Sequence, residues 1–403
     1  MLHVFIALLI FQEPTLDQYL AAQKAFAANP HSEQRLVVLA NILFERGQTE
    51  RGIALVESFV KANPSAYRAQ VLLASAYVQE EKYDAALALL KPVVQKYPND
   101  YYAQHVMGLT LSGLNRIVEA ESRFKRATEL KPDYPESDFQ LALLYARQPE
   151  TLDQAYTLFQ RALELGHPKP EIYKNLGSIN IKRGQYDKAI EQLNAAIAAD
   201  PNYSDAYFLL ADALRKTGKA EEAAEATRRF QALNAAAADQ RARSNKSQAA
   251  YEEGMALLFA KDMSFQPRNF ARAYDAFTQA VRELPELDGG YYRLAQIDFL
   301  RNDTRRGTEN IRRALQLNPF EPEYYFVLAS CLENADLPGA VAAASKAVSL
   351  NPGVADFQNL LGKLLEKTGD YPHAVQSYWR AFELEPGNDA FKANLAAAQR
   401  KLP

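Results

Sequence analysis

The sequence predicts an all-α protein, an α-solenoid of about ten helix-turn-helix repeats arranged in two stacks. Three observations carry that expectation. The first is a run of regularly spaced prolines: Pro30, Pro64, Pro98, Pro132, Pro168 and Pro201, then Pro285, Pro319, Pro352 and Pro386. Their spacings are 34, 34, 34, 36 and 33, then 34, 33 and 34, and a period near 34 marks a two-helix repeat. The second is a pattern of small and large side chains counted back from each proline. Pro132 is preceded by Gly108, Ala120, Phe124 and Ala127; Pro201 by Gly177, Ala189, Leu193 and Ala196; Pro386 by Gly362, Ala374, Tyr378 and Ala381; and Pro98 by Ala74, Ala86, Leu90 and Val93. Two antiparallel helices approach closely only where small residues meet, and large residues one turn away fill the flanking grooves. The third is where the few glycines fall, since only 17 of 403 residues are glycine. Arg46-Gly47-Gln48, Arg183-Gly184-Gln185, Thr217-Gly218-Lys219 and Thr368-Gly369-Asp370 each sit midway between prolines, where a left-handed C-cap turns one helix into the next.

Length alone, at about 150 residues per domain, would suggest two or three globular domains, but internal periodicity overrules that prior. Hydrophobic residues make up 48% and charged residues 24% of the chain, enough to bury a core, so a disordered or collagen-like polymer is excluded. A net charge of −3 supplies no basic field for a polyanion or an anionic membrane. The one cysteine, Cys331, excludes an intrachain disulfide and a Cys-rich zinc site.

The arrangement resembles the tetratricopeptide repeat, a helix-turn-helix unit with small residues at these offsets, an apolar residue between them and a terminal proline. The units fall near 33–66, 67–100, 101–134, 135–169, 170–203, 204–237, 247–287, 288–321, 322–354 and 355–388. The fourth carries about two extra residues around Gln148-Pro149-Glu150 and Gly166-His167. In the seventh, Gly254 and Ala273 are 19 residues apart where 12 is usual, so a loop is expected from Lys261 to Asn269. The domain layout that follows is an apolar segment 1–13, a first array 14–234 (a half repeat plus six repeats), a connection 235–246, a second array 247–388 and a C-terminal capping helix 389–403.

Residues Thr15 to Ala28 fit only a second helix, with Ala22 and Ala25 at the expected offsets from Pro30. Before them, Leu2 to Phe11 is apolar but shorter than the ~20 residues needed to span a bilayer. It reads as a signal-peptide core, which implies export to the periplasm or outside the cell, or alternatively as a buried terminal segment in a cytoplasmic protein; the missing Lys or Arg before it and Ala-x-Ala site after it weigh against export, while its place outside the repeat register favours it. In the connection Ala235 replaces the expected proline and 230–250 contains no Gly or Pro, so one prolonged helix is expected there, with a flexible linker around Ser244-Asn245-Lys246-Ser247 as the alternative.

No catalytic constellation stands out. The five histidines (His3, His31, His105, His167 and His373) lack partners at metal-ligand spacing, and no phosphate-cradling Gly-rich loop or nucleophile elbow occurs. Neither cofactor, metal nor catalytic residue is expected, and the chain reads as no enzyme. If the first helix of each unit lines an inner, concave surface, as the resemblance implies, the slot 27 residues before each closing position, shifted where the spacing shifts, holds Val37, Val71, His105, Phe139, Lys174, Phe208, Tyr251, Tyr292, Phe326 and Asn359. Phe44, Tyr102, Leu109, Leu143 and Phe299 add apolar stripes to that groove, interrupted by Asn41, Ser75, Asp212, Arg215 and Lys363. The partner-binding residues expected from it are Asn41, Phe44, Tyr102, His105, Phe139, Lys174, Phe208, Asp212, Tyr251, Tyr292, Phe299 and Phe326. Aromatic anchors on a rigid wall suit a peptide or partner helix, although such residues also pack against neighbouring helices. The carboxylate grip of some family members is not expected, because Ser178 stands where it needs Asn after Lys174 and Asn175, and Phe208 follows. The function expected is therefore a non-catalytic scaffold for protein or peptide partners, without a transmembrane span. Alternatives are an accessory subunit presenting substrates to a separate enzyme and, disfavoured by the acidic balance, an RNA-binding helical repeat.

Overall fold

The computed structural model describes residues 14–259 and 267–402, so the apolar run Leu2–Phe11 and most of the expected loop lie outside the described residues. Among the described residues there are helices and turns and no strand. A lone helix, α1 (Leu16–Ala28), comes first; Thr15 caps it, its hydroxyl accepting from the Gln18 amide (3.2 Å) while the Gln18 side chain accepts from the Thr15 amide (2.7 Å). Five hairpins follow: α2 (Glu33–Glu45) with α3 (Thr49–Ala62), α4 (Tyr67–Gln79) with α5 (Tyr83–Lys96), α6 (Tyr101–Gly113) with α7 (Ile117–Leu130), α8 (Pro135–Tyr145) with α9 (Leu152–Glu164), and α10 (Pro170–Lys182) with α11 (Tyr186–Ala199). Then α12 (Ser204–Lys216) precedes a single helix of 40 residues, α13 (Ala220–Phe259). The remaining helices are α14 (Pro267–Glu283), α15 (Asp288–Leu300) with α16 (Thr304–Leu317), α17 (Pro322–Leu332) with α18 (Leu337–Leu350), α19 (Ala355–Thr368) with α20 (Tyr371–Leu384), and α21 (Asp389–Gln399).

The chain divides into two units, the first ending at Ala236 and the second beginning at Ala237. The junction falls inside α13, where Ala, Gln and Arg sustain helix through the place at which other repeats turn. Because α14 starts at Pro267, the expected loop ends before Asn269; proline's fixed φ suits the first helical turn.

Three hairpins show the contact the spacing implies at its tightest. A Cβ built on Gly108 would lie 2.6 Å from Cε1 of Phe124, one on Gly177 2.7 Å from Cγ of Leu193, and one on Gly362 2.8 Å from Cδ1 of Tyr378. Phe124, Leu193 and Tyr378 are fully buried, as are Ala120, Ala189 and Ala374 on the same second helices. The large side chain thus occupies the space the small one leaves, and its whole apolar surface leaves water. Successive hairpins then stack: α2 touches α4, α4 touches α6, α10 touches α12, and α15 touches α17, so within each unit the first helices lie side by side along one face.

The prolines act through the residue before them. Asn63, Lys131, Asp200 and Asn351 leave the helical region, with φ between −145° and −130°, because the proline ring clashes with a helical neighbour. The turns inside hairpins need a left-handed residue. Gly184 (φ 72°) and Gly369 (φ 84°) supply it without strain, whereas Glu81 (φ 56°), Asn115 and Asn302 adopt it with a side chain attached. The fourth repeat absorbs its extra residues in a short 3-10 turn, Pro149–Thr151, and in a left-handed Gly166.

Two stability outcomes follow. Gly108→Ala drives a methyl into the Phe124 ring and lowers unfolding free energy by about 1–3 kcal/mol in denaturant titrations. Glu81→Gly relieves a left-handed position and raises it by up to about 1 kcal/mol.

Candidate protein-interaction surface

The first-helix face is built differently in the two units. In the first, the middle of the face is closed over. His105 is 5% exposed, its Nδ1 lying 3.0 Å from the Ser137 hydroxyl of the next repeat. Its ring stacks on Tyr102 and meets Tyr134 edge-on (5.2 Å between centroids). Phe139 is 4% exposed, packed on Phe159 and His167, with the Lys169 ammonium 5.3 Å over its ring. Both positions were expected to meet a partner; instead the incoming turn of the following repeat covers them, and they are core. Tyr102 is half-buried with its hydroxyl 3.4 Å from Ser75 Oγ, and burial raises its pKa. Phe44 lies flat against Gly52, whose Cβ would approach its ring to 2.5 Å, so it fills the hairpin between α2 and α3. Asn41 and Lys174 are half-buried on the same face, and Asp212 pairs with Arg215 at 3.5 Å. Phe208 is the exception at 53% exposed, its ring tilted against that of Phe230 with 5.3 Å between centroids.

In the second unit the face is open at the C-terminal turns of its first helices. Tyr251 packs on Phe277, Tyr292 on Tyr324 (4.9 Å) and Phe326 on Phe357 (5.3 Å), each half-buried. Phe299 is 40% exposed, and beside it in sequence Leu300 is 53% exposed. At the end of α13, Phe259 is 65% exposed. The Arg293 guanidinium lies over two rings, 5.0 Å from that of Tyr292 and 5.8 Å from that of Phe259. Phe259, Arg293 and Leu300 were not among the expected contacts. Phe259 and Leu300 occupy the slot directly after the one that holds Phe299, and extending the count by one residue would have found them. Farther along the face Lys363 (2.9 Å) and Lys367 (2.5 Å) both hold the Glu333 carboxylate, and Lys401 holds Glu366 (2.7 Å).

Three family models for this repeat match the chain: one described as tetratricopeptide repeat over 37–101, 105–170 and 332–389, one described as TPR repeat over 177–218, and another tetratricopeptide-repeat model over 205–235. The chain belongs to the tetratricopeptide-repeat family. It is similar to small glutamine-rich tetratricopeptide repeat-containing protein 2 of Mycosarcoma maydis, 30% identical over 91 residues that make up 22% of this chain and 26% of that protein. It is also similar to the mitochondrial import receptor subunit TOM70 of Homo sapiens, 28% identical over 79 residues, 20% of this chain and 13% of that one. Thus the chain spans about a quarter or less of the length of these relatives. A solved structure of a thermophilic TPR protein from Thermus thermophilus, TTC0263, aligns over 45% of this chain and 99% of its own with 26% identity and a TM-score of 0.38.

Among the described residues no three His, Cys, Asp or Glu side chains could hold a metal ion, and no helix is long and apolar enough to cross a membrane. Cys331 is buried, and burial pushes its thiol up to about 11.

The closed middle of the first unit carries an electrostatic load. Burial, and after it the charge of Lys169, lowers the pKa of His105 to about 3 and that of His167 to about 4. His167 Nδ1 lies 3.8 Å from a Glu136 carboxylate oxygen, and neither His167 Nε2 nor Glu136 Oε2 has a hydrogen-bond partner. Burial raises the carboxyls of Glu136 and of Asp138, the latter held by Arg161 (3.4 Å) and Thr128 (3.1 Å). Unfolding lets both imidazoles take up protons near pH 6.5, so stability is full above that value and falls as the pH drops toward 4, by at most about 1.4 kcal/mol per unit for each histidine. The two carboxyls act in the opposite sense, and only near and above their ordinary range. Thermal melts at pH 7.5, 6, 5 and 4.5 should therefore show a falling Tm, and a His105→Gln, His167→Gln double variant a shallower fall.

Proposed function

We propose that this protein is a non-catalytic scaffold that binds a protein or peptide partner along the first helices of its second unit. The observation that carries the reading is the set of exposed apolar side chains Phe259, Phe299 and Leu300 at the C-terminal ends of α13 and α15, together with Arg293, which already lies over the Tyr292 and Phe259 rings. Large apolar groups in contact with water raise the free energy of the isolated protein, and aromatic and arginine side chains are the types that dominate interface energetics. Family membership supports protein partners as the ligand class. The helices of the repeats account for nearly all the described chain, which supports the absence of a catalytic segment. The apolar run Leu2–Phe11 supports export, and finding Met1 retained in the mature protein would overturn that part of the reading.

The test is affinity capture from the native host with the full chain and with a Phe259→Ser, Phe299→Ser, Leu300→Ser variant. Recovery of specific partners should fall at least tenfold while the helical circular-dichroism signal stays. Val118→Ser, at the most exposed apolar side chain of a second helix, should leave recovery as it was. Equal recovery by the triple variant would remove the second-unit face as the docking surface.

A further inference from the structure

Phe208 is exposed for a reason the other repeats make plain. It is the fifth residue of its repeat, and in four other repeats that position meets the third residue of the repeat that follows. Tyr292 meets Tyr324, Phe326 meets Phe357, and His105 meets Ser137. Phe139 likewise shares a core cluster with Ile172. After α12 the chain does not turn back to supply such a residue, because α13 runs on through Ala235. Within the first unit the α12 face is therefore a repeat junction with one side missing.

The electrostatics of the missing side can also be read from an intact junction. Glu333 is the twelfth residue of its repeat and is held by Lys363 and Lys367, the ninth and thirteenth of the next. Glu366, again twelfth, is held by Lys401, which α21 brings to the thirteenth place. In the sixth repeat the twelfth residue is Arg215, of opposite sign, with its side chain 55% exposed and paired, among the described residues, with Asp212 one turn away at 3.5 Å.

We propose that the α12 face at Phe208 and Arg215 docks one amphipathic helix of a partner protein, seated as the first helix of a further repeat. Its chemistry follows from the junctions that are filled. An aromatic or branched apolar residue in its first turn covers Phe208, and carboxylates spaced from it as Lys363 and Lys367 are from Phe357, six and ten residues on, straddle Arg215. This is helix-in-groove recognition, with the chain's own stacking as the template. It stands apart from the second-unit face, since none of Phe259, Phe299 or Leu300 takes part.

The probe is a hydrocarbon-stapled, otherwise alanine- and glutamine-rich helical peptide with Phe in its first turn and Glu six and ten residues later, titrated into the full-length protein by fluorescence anisotropy. Saturable binding is expected, at least tenfold weaker for Phe208→Asp and for Arg215→Glu. A peptide with both Glu replaced by Lys should bind the wild type at least tenfold more weakly and regain affinity for Arg215→Glu, a swap that general loss of folding cannot mimic. Absence of binding, or equal binding by the Glu and Lys peptides, overturns the proposal. So does a concentration-dependent mass of the protein alone in sedimentation that Phe208→Asp abolishes, because the occupant is then a second copy of this chain. Loss of partner capture by the Phe259, Phe299, Leu300 variant leaves this result untouched, and the reverse holds as well.

Discussion

One contact recurs through this protein and the rest depends on it: a glycine or alanine on the first helix of a hairpin facing a large side chain on the second. Gly108 with Phe124, Gly177 with Leu193 and Gly362 with Tyr378 bring two backbones close enough that the large residue is sealed from water. The pair lies 16 residues apart in sequence, so the contact forms inside one hairpin and needs no distant partner. Hairpins then add to one another face to face, and stability accumulates along the stack in place of a central nucleus. A change at one crossing is felt there and in the adjoining repeats, where the side chains pack.

The same logic sorts the surface. The fifth residue of every repeat starts with equal claim to solvent, yet His105 and Phe139 are core while Phe208 is exposed. What separates them is the next repeat. In the fourth repeat the additional residues go further, since they place His167 on the Phe139 ring and draw Glu136 and Lys169 around it. Burial keeps both imidazoles neutral near pH 7, so a region rich in titratable groups is closed to chemistry and sensitive to acid. The open regions are the α12 face, after which α13 runs on without turning back, and the C-terminal ends of α13 and α15.

Much of the fold was legible because its causes are local. A proline forces the residue before it out of the helical region whatever the surroundings, as Asn63, Lys131 and Asp200 show. The lone helix at Thr15 to Ala28 could be read from the offsets of Ala22 and Ala25 to Pro30, and the helical connection through 235–246 from composition. The candidate surface was legible only in part. Counting from prolines selected Phe208 and Phe299, which are exposed, but also His105 and Phe139, which are buried, and it passed over the exposed Phe259 and Leu300. A count along one chain says which way a side chain leaves its helix; it carries no information on the length of the next turn or on what that turn places overhead.

Sequence by itself determined the repeat, its boundaries, the hairpin crossings and the class of protein, because each follows from sterics within about 34 residues of chain. Tertiary structure alone decided which slots of the first-helix face reach solvent, which histidines are neutral, and where Arg215 stands exposed and Arg293 Nε lacks a hydrogen-bond partner. The reason is that exposure and electrostatic environment belong to the junction between repeats. Both sides of a junction must be in place before either one's surface is defined.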